Sequence, residues 1–406
     1  MAQHSALDAY FIDGARTPFG RAGDKGMYRR TRADDLAVKA IRAVVERNAT
    51  IPLDRYDDVA IAATTQQGDQ GLTLGRTTAI LAGLPNTVPG LAIDRMCAGS
   101  LTSVTTMGSG IRAGAYDVVI AGGVEHMGRH PMGFDADPNP RFLAEKLVEP
   151  DALYMGKTAE RLHDRFPELT KERADSYALN SQRKADAAVR AGKFETDIVP
   201  VAIESDAGWG LVTRDEHLRP DTSMEALAGL KTPFRPHGRV TAGNASPLTD
   251  GATASILASG AAVKEFGLTP KMRLVNFAFA GVEPEVMGLG PVPATKKALQ
   301  RAGLTIDDIG LFELNEAFAV QVLSFLDAFG IADDDPSVNP YGGAIALGHP
   351  LAASGVRLMM QLANQFAEHP EVRFGLTALC VGLGQGGAVI WENPHWNGKR
   401  HARVGR

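Results

Sequence analysis

The chain has 406 residues, which is long enough for two ordinary domains or one duplicated unit. Its formal net charge of -5 argues against a nucleic-acid-binding protein, because binding a phosphate backbone requires a dense basic surface. The sequence contains neither a secretory signal nor an apolar run long enough for a membrane helix. The two cysteines, Cys97 and Cys380, indicate free thiols in a reducing compartment, which predicts a cytoplasmic protein.

A predicted order of helix, strand and later strand occurs twice along the chain. The first copy comprises residues 35–45, 57–62 and 117–123, and the second comprises residues 294–304, 307–312 and 373–380. Cys97 and His349 follow the matching early strands at similar separations, and each precedes a helical stretch. Since these strands are apolar on both alternating positions, the pattern predicts two related α/β halves with covered sheets.

Between residues 123 and 246 the composition changes to clustered prolines, a charged helical run and a polar stretch, which indicates an insertion. Basic residues with few acids between them lie in and just after its polar part: Arg214, Arg219, Lys231, Arg235, His237 and Arg239. They would suit the phosphates of an anionic ligand. A solvated charged surface explains them equally well.

Cys97 lies between a predicted strand end and the small residues that begin a helix. Backbone N–H groups and the helix dipole favour a thiolate there, so we expect the pKa of this thiol to be lowered. The same N–H groups could bind an oxyanion. Taken alone, a cysteine in such a place is more often a small buried hydrophobic residue.

Three more residues with reactive side chains lie at comparable places. His349 precedes a proline suited to the first turn of a helix, and it could act on a thiol or a carbonyl oxygen. Cys380 ends a predicted strand before a glycine-rich turn that does not open a helix, which excludes a dinucleotide motif. Asn315 also ends a strand. The four residues therefore lie at one level of two related sheets, where α/β proteins bind ligands.

Four segments together resemble the thiolase family, and the similarity runs from about Tyr10 to Glu392. They are DRMCAGS around Cys97, NEAFA from Asn315, GGAIALGHPLAASG around His349 and CVGLGQGG from Cys380. Further similarities are GGVEHMGRHPMG from Gly122, TAGNAS from Thr241 and GLGPVPATKKALQRAGL from Gly288. The first of these three and the CVGLGQG form are more similar to the degradative 3-ketoacyl-CoA thiolases of fatty-acid β-oxidation than to the biosynthetic acetoacetyl-CoA branch.

The resemblance implies a five-layer αβαβα fold of two similar βα halves. Residues 1–122 and 247–268 would form the first half and residues 269–392 the second. Residues 123–246 would form an inserted loop domain over coenzyme A, and the basic tail 393–406 would be disordered. Family members are usually homodimers or homotetramers. Degradative members often associate with a hydratase/dehydrogenase subunit, a point that the sequence leaves open.

The resemblance also implies roles for the reactive residues. Cys97 would be the nucleophile, and His349 would activate its thiol and bind the thioester oxygen together with a water on Asn315. Cys380 would protonate the departing acetyl-CoA enolate and then deprotonate coenzyme A. The N–H groups of Cys97 and Gly382 would form a second oxyanion hole, which fits a reaction that develops negative charge at two oxygens.

Coenzyme A would be a co-substrate, with no permanently bound cofactor or metal. Ser246 matches the family position that contacts its pantetheine arm, and Arg219, Met155 and Phe318 are further candidate contacts. Three places depart from the family pattern: Asp94 replaces an asparagine, Ala98-Gly99-Ser100 replaces a residue followed by Ser-Gly or Ser-Ser, and Ala352 replaces a frequent glycine. These departures affect expected rate and substrate preference more than reaction class.

Other functions remain open. The chain could form acetoacetyl-CoA, or it could be a thiolase-like carrier that binds acyl-CoA without turnover. A ketoacyl synthase is disfavoured by Cys380, and a zinc site is disfavoured because neither cysteine has paired metal-ligand spacing.

Overall fold

The computed structural model describes residues 5–133, 136–399 and 403–405. Their strands are β1 (Ala9–Arg16), β2 (Gly20–Arg21), β3 (Asp58–Ala62), β4 (Leu91–Ile93), β5 (Val118–His126), β6 (Val201–Ser205), β7 (Gly208–Val212), β8 (Thr249–Ser259), β9 (Met272–Gly281), β10 (Ile309–Leu314), β11 (Phe374–Val381) and β12 (Gln385–Glu392). Their helices are α1 (Ala33–Arg47), α2 (Leu74–Ala82), α3 (Gly99–Arg112), α4 (Arg141–Ala144), α5 (Met155–Arg165), α6 (Lys171–Arg190), α7 (Met224–Ala228), α8 (Gly260–Phe266), α9 (Pro291–Ala302), α10 (Ala319–Phe329), α11 (Ala344–Leu347) and α12 (Ser354–Glu368). None of these helices combines the length and the apolar character needed to cross a bilayer.

The main strands form one hydrogen-bonded path in the order β10-β11-β12-β9-β1-β8-β5-β3-β4. The order β1-β8-β5-β3 in one half matches β9-β12-β11-β10 in the other, and in both halves only the last two strands of that series are parallel. A short antiparallel pairing of β1 with β9 joins the halves edge to edge. The predicted duplication is therefore confirmed.

The helices occupy three layers around the two half-sheets. Helices α3 and α12 pack on each other between the halves, α1 and α2 cover the outer face of the first half, and α9 covers that of the second. Separate apolar clusters fill these three helical layers. Strands such as β8 are buried along their whole length because helices cover both faces. The expected five-layer arrangement is confirmed.

Helix α1 illustrates how the sequence determines these layers. Leu36, Ala40 and Val44 recur at helical spacing and are fully buried against the sheet. Asp34 and Asp35 lie in the first turn, where negative charge is favoured by the helix dipole. Its charged residues otherwise face outward.

The insertion packs closely on the rest of the chain. Strand β5 continues past residue 122 to His126, so the first half keeps four residues that had been assigned to the insertion. Leu162 and Tyr177 from the insertion belong to the core of the second half, whereas Val201 belongs to the core of the first. These contacts hold the insertion against both halves.

The described part of the C-terminal tail contacts the second half, although the sequence predicts a disordered tail. Arg403 is buried, its guanidinium lies 5.3 Å from the centre of the Phe312 ring, and it pairs with Asp335 at 3.7 Å. Arg373 lies over the ring of Trp396 at 4.7 Å. Residues 393–399 and 403–405 of the predicted tail are described by the structure, and residues 400–402 and 406 lie outside the described residues.

Candidate active site

Cys97 follows a tight turn at the end of β4. The Met96 N–H donates to Asp94 Oδ1 at 2.7 Å, and Met96 has a φ of 44°. A non-glycine residue in this left-handed region is strained, so the surrounding contacts must hold the turn. Asp94 supplies the same acceptor oxygen that asparagine would, which explains how this departure from the family pattern preserves the turn.

The electrostatic surroundings of Cys97 oppose a thiolate. Burial and the nearby Glu125 carboxylate raise the pKa of the Cys97 thiol to about 12. Hydrogen bonds from the N–H groups of Gly382 and Cys97 itself lower this pKa, and they are outweighed. The prediction of a lowered pKa is therefore wrong, although the predicted pair of N–H donors is present. The sulfur keeps its proton until a base accepts it.

Cys380 is a second thiol beside the half-buried Cys97. It is the penultimate residue of β11, and its side chain is fully buried. Burial, followed by the negative charge that Cys97 would carry as a thiolate, raises the pKa of Cys380 well above its ordinary value. Because each thiolate opposes the other, the pair holds one negative charge at a time.

His349 and Asn315 form a buried hydrogen-bonded pair. Asn315 directly follows β10, and its Nδ2 lies 3.3 Å from His349 Nε2. The other ring nitrogen, Nδ1, lies 2.6 Å from Ser354 Oγ. Burial, and then the positive charge of Arg357, lower the pKa of His349 to about 3. The imidazole is therefore neutral at physiological pH.

A glycine turn fixes the backbone of His349. Gly348 has a φ of 101°, and a Cβ there would lie 2.7 Å from His217 Cδ2, so another residue would be both strained and obstructed. The His349 N–H donates to Thr249 Oγ1 at 3.0 Å. The imidazole therefore projects from a backbone held by the insertion and by β8.

The chain segments after Cys97 and His349 pack directly on each other. A Cβ on Gly99 would lie 2.8 Å from the Cβ atoms of Ala352 and Ala62. The Val356 N–H donates to Ser100 Oγ at 3.1 Å. Two departures from the family pattern therefore contact each other. Gly99 is smaller than the serine that the family often has there, and Ala352 carries a methyl group where the family often has glycine.

We predict that Gly99→Ser lowers the free energy of unfolding by about 1–3 kcal/mol, because the added side chain overpacks this contact. Adding Ala352→Gly should restore part of the loss, since it removes one of the two obstructing methyl groups. Urea denaturation of the wild type, both single variants and the double variant measures the coupling. Equal stability of Gly99→Ser and the wild type would contradict the prediction.

The predicted coenzyme A contacts fall into two groups. Met155 lies near Gly382, where an added Cβ would be 3.6 Å from its sulfur. The Ser246 N–H donates to Ala317 O at 3.0 Å, which places Ser246 against the segment that carries Phe318. Arg219 is exposed and farther out, with its backbone N–H held by the side chain of Gln182.

The basic residues of the insertion are not equivalent. Arg235 pairs with Asp164 at 2.7 Å, and Arg239 donates to main-chain carbonyls of its own domain. Arg214, Arg219 and Lys231 are exposed, and no described side chain pairs with them. Of the predicted phosphate contacts, these three and the exposed His237 are the available ones in the part of the chain that the structure describes.

Sequence reasoning missed several residues of the site: Glu125, Thr249, Ser354 and Arg357. Ser354 and Thr249 are small polar residues that give no signal until the fold brings them to His349. Arg357 did give a signal in the sequence, because it is a charged residue within an otherwise apolar helical stretch.

Comparisons with known proteins agree with this architecture. The family model "Thiolase, N-terminal domain" matches residues 9–261, and "Thiolase, C-terminal domain" matches residues 268–393. A beta-ketoadipyl-CoA thiolase of Pseudomonas putida is 43% identical over 400 residues, which cover 95% of this chain and 99% of that protein. A 3-ketoacyl-CoA thiolase of Psychrobacter cryohalolentis is 43% identical over 390 residues, which cover 96% and 98%.

The fold comparison gives the same result. The crystal structure of human mitochondrial 3-ketoacyl-CoA thiolase superimposes with a TM-score of 0.86 at 34% identity, and the match covers 96% of this chain and all of that one. The chain therefore belongs to the thiolase family.

Proposed function

We propose that this enzyme cleaves 3-ketoacyl-CoA with coenzyme A to give acetyl-CoA and a shortened acyl-CoA, through an acyl group on Cys97. The observation that carries the proposal is the convergence of two thiols and two backbone N–H donors at one point. The Gly382 N–H donates to the Cys97 sulfur, and Cys97 is close enough to Cys380 for a thiolate on Cys97 to raise the pKa of Cys380. Such paired donors stabilise an oxygen that becomes negative in the transition state.

In the first step, the Cys97 sulfur attacks the 3-keto carbon while its proton passes to His349 Nε2. The high pKa of Cys97 and the low pKa of His349 disfavour a separated ion pair in the empty site. We therefore infer that proton transfer accompanies formation of the carbon–sulfur bond. The carbon–carbon bond then breaks, and its electron pair becomes the acetyl-CoA enolate.

In the second step, Cys380 gives its proton to the enolate carbon, and acetyl-CoA leaves. A neutral thiol is the form needed for this donation, and burial keeps Cys380 neutral. The resulting thiolate then takes the proton of incoming coenzyme A, whose sulfur attacks the acyl group on Cys97. The bond between the acyl carbon and the Cys97 sulfur then breaks, the shortened acyl-CoA leaves, and the Cys97 sulfur takes back the proton from His349. Because acylated Cys97 carries no negative charge, it no longer opposes the Cys380 thiolate.

Coenzyme A would lie across the insertion. Ser246 and Phe318 are on adjacent segments next to Asn315, which suits the pantetheine arm near the reacting groups. Arg214, Arg219 and Lys231 are exposed cations on the insertion and suit the phosphates. We therefore propose these residues as coenzyme A contacts.

The proposal is tested by mass spectrometry of the Cys97 peptide after incubation with a 3-ketoacyl-CoA in the absence of coenzyme A. We expect the mass of the shortened acyl group on Cys97, and no such mass in Cys97→Ala. Absence of the adduct at every chain length would reject the proposal. A Cys97→Ala variant equal to the wild type in every assay would instead favour a non-catalytic carrier.

A second substrate class is a 3-ketoacyl-CoA with a terminal carboxylate, as the name of the P. putida relative indicates for that protein. Beside the nucleophile, the sulfurs of Met96 and Met155 flank Gly382. This apolar surface favours an uncharged chain, because a buried carboxylate needs a cationic or hydrogen-bonding partner.

Two substrates of equal chain length separate these classes: 3-oxohexanoyl-CoA and 3-oxoadipyl-CoA. We expect kcat/KM to be at least roughly tenfold higher for the uncharged substrate, since tenfold corresponds to only about 1.4 kcal/mol. The reverse preference would assign the enzyme to dicarboxylic substrates. Rates on acetoacetyl-CoA in the same series test the biosynthetic alternative.

We propose that the chain forms a homo-oligomer through the free edge of β4. Among the described strands, β4 pairs with β3 alone, so its other edge is open in the part of the chain that the structure describes. The adjacent α2 region exposes apolar side chains: Leu72 is 87% exposed, and Ile80 and Leu81 are also exposed. Light scattering should give at least a dimer mass at micromolar concentration, and a monomer mass would contradict the proposal.

We propose that this activity serves fatty-acid β-oxidation in the cytoplasm. The free state of both cysteines supports a reducing compartment. Preference for longer uncharged chains in the substrate series would support β-oxidation, whereas preference for 3-oxoadipyl-CoA would point to another degradative pathway.

A further inference from the structure

Directly beneath Asn315 lie a buried arginine and a buried glutamate, and burial raises the pKa of the glutamate, Glu313, to about 8. Arg357 on α12 and Glu313 on β10 have side chains that are 1% and 0% exposed, with 4.0 Å between Nη1 and Oε2. Arg357 Nε and Glu313 Oε2 have no hydrogen-bond partner within the described residues. When both side chains are charged, such a loosely paired buried pair contributes little to stability, because desolvation of both charges offsets their attraction.

Arg357 determines the orientation of the Asn315 amide. Its Nη2 donates to Asn315 Oδ1 at 3.3 Å. A guanidinium has only donors, so the oxygen of the amide must face it. The amide nitrogen is consequently turned toward His349, where Nδ2 lies 3.3 Å from Nε2.

The orientation of this amide in turn determines the position of the proton on His349. The Asn315 nitrogen can only donate, so Nε2 must present its lone pair. A neutral imidazole carries one proton, which must then be on Nδ1 and point to Ser354 Oγ at 2.6 Å. The opposite arrangement would set the Asn315 nitrogen against the Arg357 guanidinium, with two donors facing each other.

We propose that Arg357 is a positioning residue that, through Asn315, holds His349 in the tautomer with an unprotonated Nε2. This inference rests on the proposed function for its consequence, since Nε2 is the atom that receives the Cys97 proton. Ser354 only accepts the remaining ring proton. Glu313 lies beside the guanidinium.

Two further observations support this arrangement. Gln361 Oε1 accepts from Arg357 Nη1, and Gln365 Nε2 donates to Glu313 Oε1 at 2.7 Å, so side chains of α12 hold both partners. The charge of Arg357 also lowers the pKa of His349, which keeps the imidazole in the neutral form that has a tautomer to select.

The tautomer is measured directly by NMR of the resting enzyme with ring-¹⁵N-labelled histidine, with His349 assigned by its loss in His349→Asn. The wild type should show a lone pair on Nε2. The double variant Glu313→Gln/Arg357→Met replaces both ionisable side chains, so it leaves no unpaired buried charge. It also frees the Asn315 amide to turn. In this double variant we expect part of the enzyme population to carry the His349 ring proton on Nε2.

Two single variants are the matched controls. Glu313→Gln retains Arg357, and Ser354→Ala removes the partner of Nδ1, so both should keep the lone pair on Nε2. A switch of the tautomer in Ser354→Ala would assign control to Ser354 and overturn the proposal. The proposal is also overturned if the double variant keeps the wild-type tautomer.

A kinetic measurement separates positioning from a general structural role. We expect kcat of the double variant to fall about 10–100-fold, as misplaced catalytic groups commonly cause, while KM changes less than threefold. A kcat within twofold of the wild type would contradict the proposal. Because the NMR measurement uses no substrate, it remains informative even if the Cys97 adduct fails to form.

Discussion

Cys380→Ser should lower kcat for thiolysis about 10³-fold and leave acylation of Cys97 by an acyl-CoA largely intact. The serine hydroxyl fills nearly the same space, but it is a much weaker acid than a thiol and cannot protonate the enolate carbon. General acid–base groups typically contribute about 10²–10⁴-fold. A coenzyme A thiolate can leave an acyl-CoA without prior protonation, so formation of the acyl-enzyme is spared.

Two assays on the same preparation separate these steps. Consumption of 3-ketoacyl-CoA reports the full reaction, and mass spectrometry of the Cys97 peptide after incubation with acyl-CoA reports acylation. Cys97→Ser is the matched control, since it should lose both signals. Thiolysis by Cys380→Ser within tenfold of the wild type would show that another group protonates the enolate.

The sequence was sufficient to predict the framework of this molecule. The predicted helix at 35–45 and the predicted strand at 117–123 lie within α1 and, but for Asp117, β5. These elements have complete apolar periodicity, which depends on local sequence. The repeated order of elements then predicted the repeated strand order, because related segments fold to related units.

The charge states could not be predicted in the same way. The N–H donor of Cys97 itself follows from its place before a helix, but the Gly382 donor comes from the other half of the chain, and the pKa of Cys97 is dominated by burial and by Glu125. The packing around Cys97 likewise depends on residues that are distant in the sequence. The complementarity of Gly99 and Ala352 is visible only after α3 and α12 have met.

Helix α12 carries a pattern of polar residues that is visible in the sequence alone. Arg357, Gln361 and Gln365 recur every four residues on α12 and are all buried. In an otherwise apolar helix, this spacing predicts a polar face directed at buried partners. The identity of the partners, Glu313 and Asn315, still required the tertiary structure.

His349→Asn should lower kcat about 10³-fold and slow acylation of Cys97 as well, which distinguishes it from Cys380→Ser. The asparagine side chain can still reach Ser354, but the atom at the position of Nε2 is lost. The variant therefore loses both the acceptor of the Cys97 proton and a donor to the developing oxyanion, each worth about 10²–10³-fold. Because the single atom Nε2 performs both roles, the two losses overlap and do not multiply. His395→Ala, at a histidine that hydrogen-bonds to Pro270 O, should retain wild-type kcat.

The same variant makes an independent prediction about acid stability. Folding lowers the pKa of His349 to about 3, whereas an unfolded histidine has a pKa of about 6.5. Below pH 6.5 the unfolded chain therefore binds a proton that the folded chain does not, so falling pH destabilises the fold until about pH 3. Between pH 7 and pH 5 this histidine alone should cost the wild type about 2 kcal/mol. Urea denaturation at both pH values should show a smaller loss in His349→Asn, and an equal loss in both proteins would mean that His349 is not held neutral by the fold.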